Sequence, residues 1–426
     1  MSSERPPVPA TTLGDSSAIP RKTTVAWRNA VFAVFALNGL GLSSWMARVP
    51  VIRDALGAST AQMGWIVFSI AAGSILGLSL ASHVLARIGS RLTITGCVLL
   101  GAAGLAVIGL GASGSARVVL VVLGLAMLGV GLGMCDVAMN VEGAAVEREL
   151  GRTVMPLFHA AFSGGTIVGA GLGALTEYAT VPTWAHFSGI AVVLALGVFW
   201  YARFLYLDAA ERAQAADRAA ATEEAVDGGP APGWRARLSL WTDRRTLLIG
   251  LIVLGMAFAE GSANDWLALA TVDGHGVANS TGAVVYGIFV TAMTIGRIAG
   301  VRVLDRFGRV PVLRGSALLA AAGLLGVIFL PSVWLSAVAV VAWGFGSALG
   351  FPVGMSAAAD DSRTAAARVS VVATIGYLAF LVGPPSIGFL GSSVGLLRAL
   401  LLVLVLVAVA GLASPAARER GDRRCA

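Results

Sequence analysis

Acidic residues inside apolar stretches mark where this chain could do chemistry. The run 245–270 holds Glu260 and Asp265, with Asn264 between them. A charge at the middle of a membrane-spanning helix costs about 2.5–3.5 kcal/mol, while a large apolar residue returns only about 0.3–0.6. The apolar residues from Leu247 to Phe258 barely offset two carboxylates. Both groups must therefore face a polar cavity, carry a proton or sit near water. Glu260 lies deeper and shares a helical face with Asn264. It either lines a pathway or ties helices together, and Asp265 can serve a cavity or an external edge. Asp136 sits in another apolar run, one turn from Asn140. It is either a working carboxylate or a helix-end partner of Arg148 or Arg152.

Other polar residues have the right types to join them. His159 shares one helical face with Phe162, Ser163 and Thr166, so it is either a proton relay or an interhelical hydrogen bonder. Asn38, Trp45 and Arg48 share a broad face of the first apolar run. Arg48 can bind an anion, pair with Glu260 or Asp265, or anchor at the surface. Trp45 and Trp266 suit stacking on a sugar or an interfacial belt. Arg297 shares a face with Tyr286 and Thr294, where it can meet a solute or brace the turn at Asp305. Asp136, Glu260, Asp265 and His159 are the candidates for proton coupling. Asn38, Trp45, Arg48, Asn140, Asn264, Tyr286 and Arg297 are the candidates for a solute pathway. No phosphate-binding glycine loop, nucleophile elbow or metal-ligand spacing is present, so neither a metal, a cofactor nor enzyme activity is expected.

The elements that must position these residues are membrane helices. Hydrophobic residues make up 57% and charged residues 12%, with mean hydropathy +0.83; a soluble domain carries about 25% charge. Twelve apolar runs fall between 27 and 413, each near the ~20 residues needed to cross a bilayer. The expected organisation is a disordered tail over 1–24, a six-helix half over 25–206, a linker over 207–243, a second half over 244–413 and a tail over 414–426. Residues 57–90 align without gaps on 276–309, an offset of 219. The alignment pairs Arg87 with Arg306 and Gly89 with Gly308. All of the 30 Lys and Arg except Arg48, Arg53, Arg117, Arg297 and Arg398 fall on one side of this topology. That bias places both termini in the cytoplasm. It also explains the net charge of +7 without nucleic acid. Two similar halves suggest a transporter that rocks about a site between them.

The two Arg/Gly turns, the repeat and the twelve runs resemble the major facilitator superfamily. Its loop motif reads approximately Gly-x-Leu-Ala-Asp-Arg-x-Gly-Arg. The second copy keeps Leu304, Asp305, Arg306, Gly308 and Arg309. The first keeps Arg87 and Gly89, followed by Arg91, but has Ala86 for the aspartate and Ser90 for an arginine. A closer resemblance, to the MosC-like and YbjJ-like bacterial permeases, rests on Trp45-Met46-Ala47-Arg48-Val49-Pro50, Asp136-Val137-Ala138-Met139-Asn140, Phe158-His159-Ala160-Ala161-Phe162-Ser163 and Gly383-Pro384-Pro385. The resemblance implies an all-α fold of two pseudo-symmetric six-helix halves in the bacterial plasma (inner) membrane. It implies alternating access for a small polar or sugar-like solute, proton coupling, loops that gate the inner side, and function as a monomer. Two alternatives remain at this point, efflux of drugs or metabolites and a non-transporting membrane sensor.

Overall fold

Two glycines set where the long helices turn. Gly89 has φ 82° and ψ 165°, and its repeat mate Gly308 has φ 75° and ψ 172°. A residue with a Cβ is strained in that region, whereas glycine enters it freely. The repeat is thus written in backbone conformation as well as in sequence. Gly57 and Gly276, also mates, both cap helices at positive φ.

The computed structural model describes residues 21–114, 117–151, 154–205, 240–360 and 365–418. Most of the tail expected over 1–24, most of the 207–243 linker, Arg152 and the end of the C-terminal tail lie outside the described residues. Among the described residues all regular structure is helical. The first half contains α1 (Arg21–Ala47), α2 (Val49–Leu56), α3 (Thr60–Gly111), α4 (Val118–Leu150), α5 (Met155–Tyr178) and α6 (Thr183–Ala202). The second contains α7 (Arg244–His275), α8 (Asn279–Phe307), α9 (Arg309–Phe329), α10 (Val333–Ser347), α11 (Gly350–Ala358), α12 (Ala365–Val394), α13 (Leu396–Ala399) and α14 (Leu401–Ala413). Eleven helical stretches among the described residues are long and apolar enough to cross a bilayer. The 52 residues of α3, at ~1.5 Å each, would extend roughly 78 Å, more than twice the ~30 Å apolar core. It is two crossings bent at Gly89, which makes twelve.

Small residues bring the helices together. Gly73 and Gly77 of α3 face Gly129 and Gly133 of α4. A Cβ on Gly129 or Gly133 would lie 2.2 Å from the carbonyl oxygen of Ile70 or Ser74. In a bilayer, where apolar side chains gain little by leaving lipid, such close backbone approach drives association. Helices α1 and α7 are the innermost, with 72% of their most apolar window buried, against 33% for α5 and α6. Large apolar residues on the outer faces, such as Leu318, Phe389 and Leu412, are exposed to the surrounding lipid.

The halves are joined by polar contacts at one end, which carries α2. There Arg53 Nη1 meets Asp273 at 2.7 Å, and Asn279 Nδ2 donates to Asp54 at 3.0 Å. Burial works against the charge on Arg53, but the Asp273 and Asp54 carboxylates together outweigh it and raise its pKa. Gly64 and Gly388 pack backbone to backbone at the same end. At the opposite end, which carries the Gly89 and Gly308 turns, no ion pair crosses between halves among the described residues.

Candidate functional site

A cavity of about 630 Å³ lies between the halves, walled by α1, α3, α4, α5, α7, α8 and α12. Its second-half wall holds most of the charge. Glu260 and Asn264, one turn apart on α7, both face it, as helical spacing requires. Arg297 of α8 donates through one Nη2 nitrogen to both carboxylate oxygens of Glu260, each at 2.8 Å. Its Nε also reaches the Ala348 carbonyl at 3.4 Å. Asp265 lies on the same wall and has no hydrogen bond or ion pair among the described residues. Tyr286 closes the α2 end of the cavity, with its hydroxyl 3.0 Å from Met46 Sδ across the halves.

The first-half wall is quieter. Asn38 faces the cavity while its amide donates to the Val34 carbonyl at 2.8 Å and contacts Cys135 Sγ at 3.3 Å. Asp136 also faces it, accepting from Asn140 Nδ2 at 3.2 Å and making no ion pair with Arg148. Exposure shows which end is open. Tyr286, at the α2 end, is 1% exposed, whereas Tyr377, on α12 toward the turns, is 40% exposed.

Several of the predicted residues lie elsewhere. Trp45 is packed in the core, off the cavity wall, as is Trp266, so neither stacking on a solute nor an interfacial belt describes them. Arg48 is also off the wall and pairs with neither Glu260 nor Asp265. The chain bends at Arg48, between α1 and α2, and its guanidinium turns into its own half. There it meets Glu177 at 2.9 Å, the Val181 carbonyl at 3.0 Å and Thr183 Oγ1 at 3.1 Å. Burial pushes its pKa down, and Glu177 opposes that. Arg297 lies on the cavity wall bonded to Glu260, with no hydrogen bond to the Asp305 turn among the described residues. His159 sits beside the wall rather than on it, edge-on to the Phe35 ring at 5.2 Å and close enough to Asp136 to interact electrostatically. Asn140 reaches the cavity only through Asp136. Of the turn residues, Arg87, Arg91, Asp305 and Arg306 are exposed. Arg309 binds Asp360 at 2.5 Å and Ser356 at 3.0 Å.

Sequence reasoning missed three features. Thr374 and Tyr377 line the cavity from α12; Tyr377 is a polar-tipped residue in an otherwise apolar run, which was the available signal. Glu177, the partner of Arg48, carried none beyond its charge. Glu142 is fully buried near the Gly89 turn, accepting from Trp27 Nε1 at 2.6 Å and from Ser90 Oγ. Its clue was Ser90, which stands where the second turn has Arg309.

The arrangement is a largely apolar chamber with a few charged groups between two helical bundles. A family model described as Major Facilitator Superfamily matches residues 31–384 and again 264–422. The chain belongs to the Major Facilitator Superfamily. It is 31% identical over 360 residues to an uncharacterized MFS-type transporter of Yersinia pestis, covering 84% of this chain and 86% of that protein. It is 26% identical over 386 residues to the membrane protein MosC of Rhizobium meliloti, covering 90% and 88%. The fold is similar to the crystal structure of the nucleoside transporter NupG, with TM-score 0.68 and 14% identity over 93% of this chain and 98% of that one. This facilitator is thus a multi-pass membrane protein and a secondary transporter rather than an enzyme, and its resemblance to MosC-like permeases holds.

Proposed function

We propose that this chain moves a small polar solute across the membrane by alternating access, with a proton carried on a cavity carboxylate. The distribution of basic residues supports an external α2 end and cytoplasmic Gly89 and Gly308 turns. The state described then faces inward, latched outside by Arg53–Asp273 and Asp54–Asn279. The observation that carries the proton reading is the contrast between Glu260 and Asp265. Glu260 is held on both oxygens by a guanidinium. Asp265 faces the same chamber without a partner. A lone carboxylate in an apolar wall is costly to hold as an anion, and a proton, water or a cation relieves that cost. Asp136, which interacts with His159, is the second such group.

Proton-coupled accumulation and solute exchange are separable. Asp265→Asn mimics the protonated form. In proteoliposomes it should abolish concentration of solute against its gradient and leave counterflow exchange working. Asp136→Asn should do the same if the proton rests there instead. A screen for thermal stabilisation by sugars, polyols, amines and organic acids supplies the solute for these assays. If both variants still concentrate that solute, neither carboxylate is the proton carrier.

A further inference from the structure

The charge on the cavity wall does not balance. Asp136, Glu260 and Asp265 face the chamber as carboxylates, and among the described residues Arg297 is the only arginine or lysine on that wall. Arg297 is paired with Glu260 through its Nη2, and neither Asp265 nor Asp136 has an ion pair among the described residues. His159 is the nearest other basic group, beside Asp136 and off the wall. The remaining polar groups on the wall, including Asn264 and Tyr286, are neutral. Much of the lining is apolar, among it Leu42, Ile70 and Phe380, so water cannot screen these carboxylates as it would at a surface.

We propose that the transported solute is a cation, a small polar molecule bearing a protonated amine that binds between Asp265 and Asp136. This deepens the transport reading above and rests on it. An amine answers the unpaired charge of one carboxylate while a proton neutralises the other, and the solute's hydroxyl or amide groups can meet Asn38 and Asn264. An anion would instead bring a third uncompensated negative charge into the chamber, and a neutral sugar would leave both carboxylates dependent on protons. The wall's guanidinium already holds Glu260 through its Nη2, so an anion placed there would also face that carboxylate.

The test needs no knowledge of the solute. Ser74 of α3 and Thr374 of α12 line the chamber from opposite halves. Ser74→Cys and Thr374→Cys, in the full chain lacking its three native cysteines, are labelled with matched cationic (trimethylammonium) and anionic (sulfonate) methanethiosulfonates at low salt. After correction for the rates of a free thiol, the cationic reagent should react at least about tenfold faster at both positions, as a negatively focused cleft requires. Adding Asp265→Asn should lower that ratio several-fold. Equal rates, anionic preference, or a ratio indifferent to both Asp265→Asn and Asp136→Asn would overturn the cation assignment. The two positions guard against one variant misfolding. The transport reading is judged separately, from the side of labelling in oriented proteoliposomes. Reaction from both faces supports alternation, whereas reaction from one face only would remove the transport reading whatever the charge preference.

Discussion

Where the second half places Arg297 on the cavity wall, the first half places its repeat mate Leu78, and both side chains face the same chamber. Likewise the second turn has Arg309, bonded to Asp360, which also binds Arg245 at 2.9 Å. The first turn has Ser90, bonded to the buried Glu142 together with Trp27. Gly39 and Gly165 seat α1 against α5, whereas α7 meets α12 through the Phe258 ring at Gly383. The repeat has kept the backbone plan, down to the φ angles of Gly89 and Gly308, while the chemistry has moved to one side. On the cavity wall the second half carries an ion pair and a lone carboxylate. The first presents Asp136 there and keeps its own ion pair, Arg48–Glu177, off the wall, within a closely packed platform.

Making the second half resemble the first should have the largest effect. Arg297→Leu installs the residue found at its repeat mate and strands Glu260. Breaking a buried ion pair costs about 3–5 kcal/mol. Arg297 is 36% exposed, so water in the chamber should reduce that to about 1–3 kcal/mol. Transport should fall by about 100-fold or more, read as exchange flux, with a lower melting temperature. Removing both charges with Glu260→Leu alongside should restore the melting temperature and leave transport lost. A single variant that still transports would mean that the ion pair is scaffolding and the asymmetry is incidental.

The next effect probes the platform. A Cβ on Gly39 would lie 2.1 Å from the Phe162 carbonyl oxygen, so α1 and α5 must separate to admit it. Gly39→Ala should destabilise by about 1–3 kcal/mol, in the manner of overpacking. Phe258→Leu, in the α7–α12 contact of the second half, should stay below about 1.5 kcal/mol. Thermal melting in detergent compares them directly. At the turns, Glu142→Ala leaves the Trp27 and Ser90 donors buried without that acceptor, worth about 1–3 kcal/mol. Asp360→Ala leaves two arginines beside the aqueous phase, worth about 1 kcal/mol or less. If Asp360→Ala proves the more damaging, the first half is not the tighter platform.

Much of this was legible from residue types. Composition and run length gave an all-helical membrane fold, because those quantities depend only on the solvent each helix must meet. The offset repeat located both turns, since glycine at Gly89 and Gly308 is required locally. Glu260, Asn264, Asp265, Asp136 and Asn38 reached the cavity because a polar group in an apolar run has few other places to go. Partner choice was not legible. Arg48 and Arg297 are both arginines near apolar segments, and only the bend between α1 and α2 turns one away from the chamber. Trp45 failed for a related reason: a helical face broad enough to hold Asn38, Trp45 and Arg48 meets more than one neighbour. Glu142 was hidden because its partners lie 115 and 52 residues away.

The smallest effect tests the line between the halves. Arg53–Asp273 and Asp54–Asn279 hold the α2 end closed, and they lie near water, where such pairs are worth about 0.2–1 kcal/mol. Asp273→Asn should therefore shift the balance between inward- and outward-facing states by only a few-fold. Distance measurements between spin labels across the α2 end should show the more open population growing, and less so at high salt, where the wild-type pair is already screened. The exchanged pair, Arg53→Asp with Asp273→Arg, should recover the original distribution, because what joins the halves here is charge rather than shape. Asp54 makes this a demanding test, since an aspartate at position 53 would sit beside it. Asn279→Asp is the matching probe, for it would place two carboxylates where a 3.0 Å hydrogen bond now stands and should open the α2 end further than Asp273→Asn does. If neither variant moves the distribution, the closed end is held by the Gly64–Gly388 backbone contact, and the polar bridges only follow it.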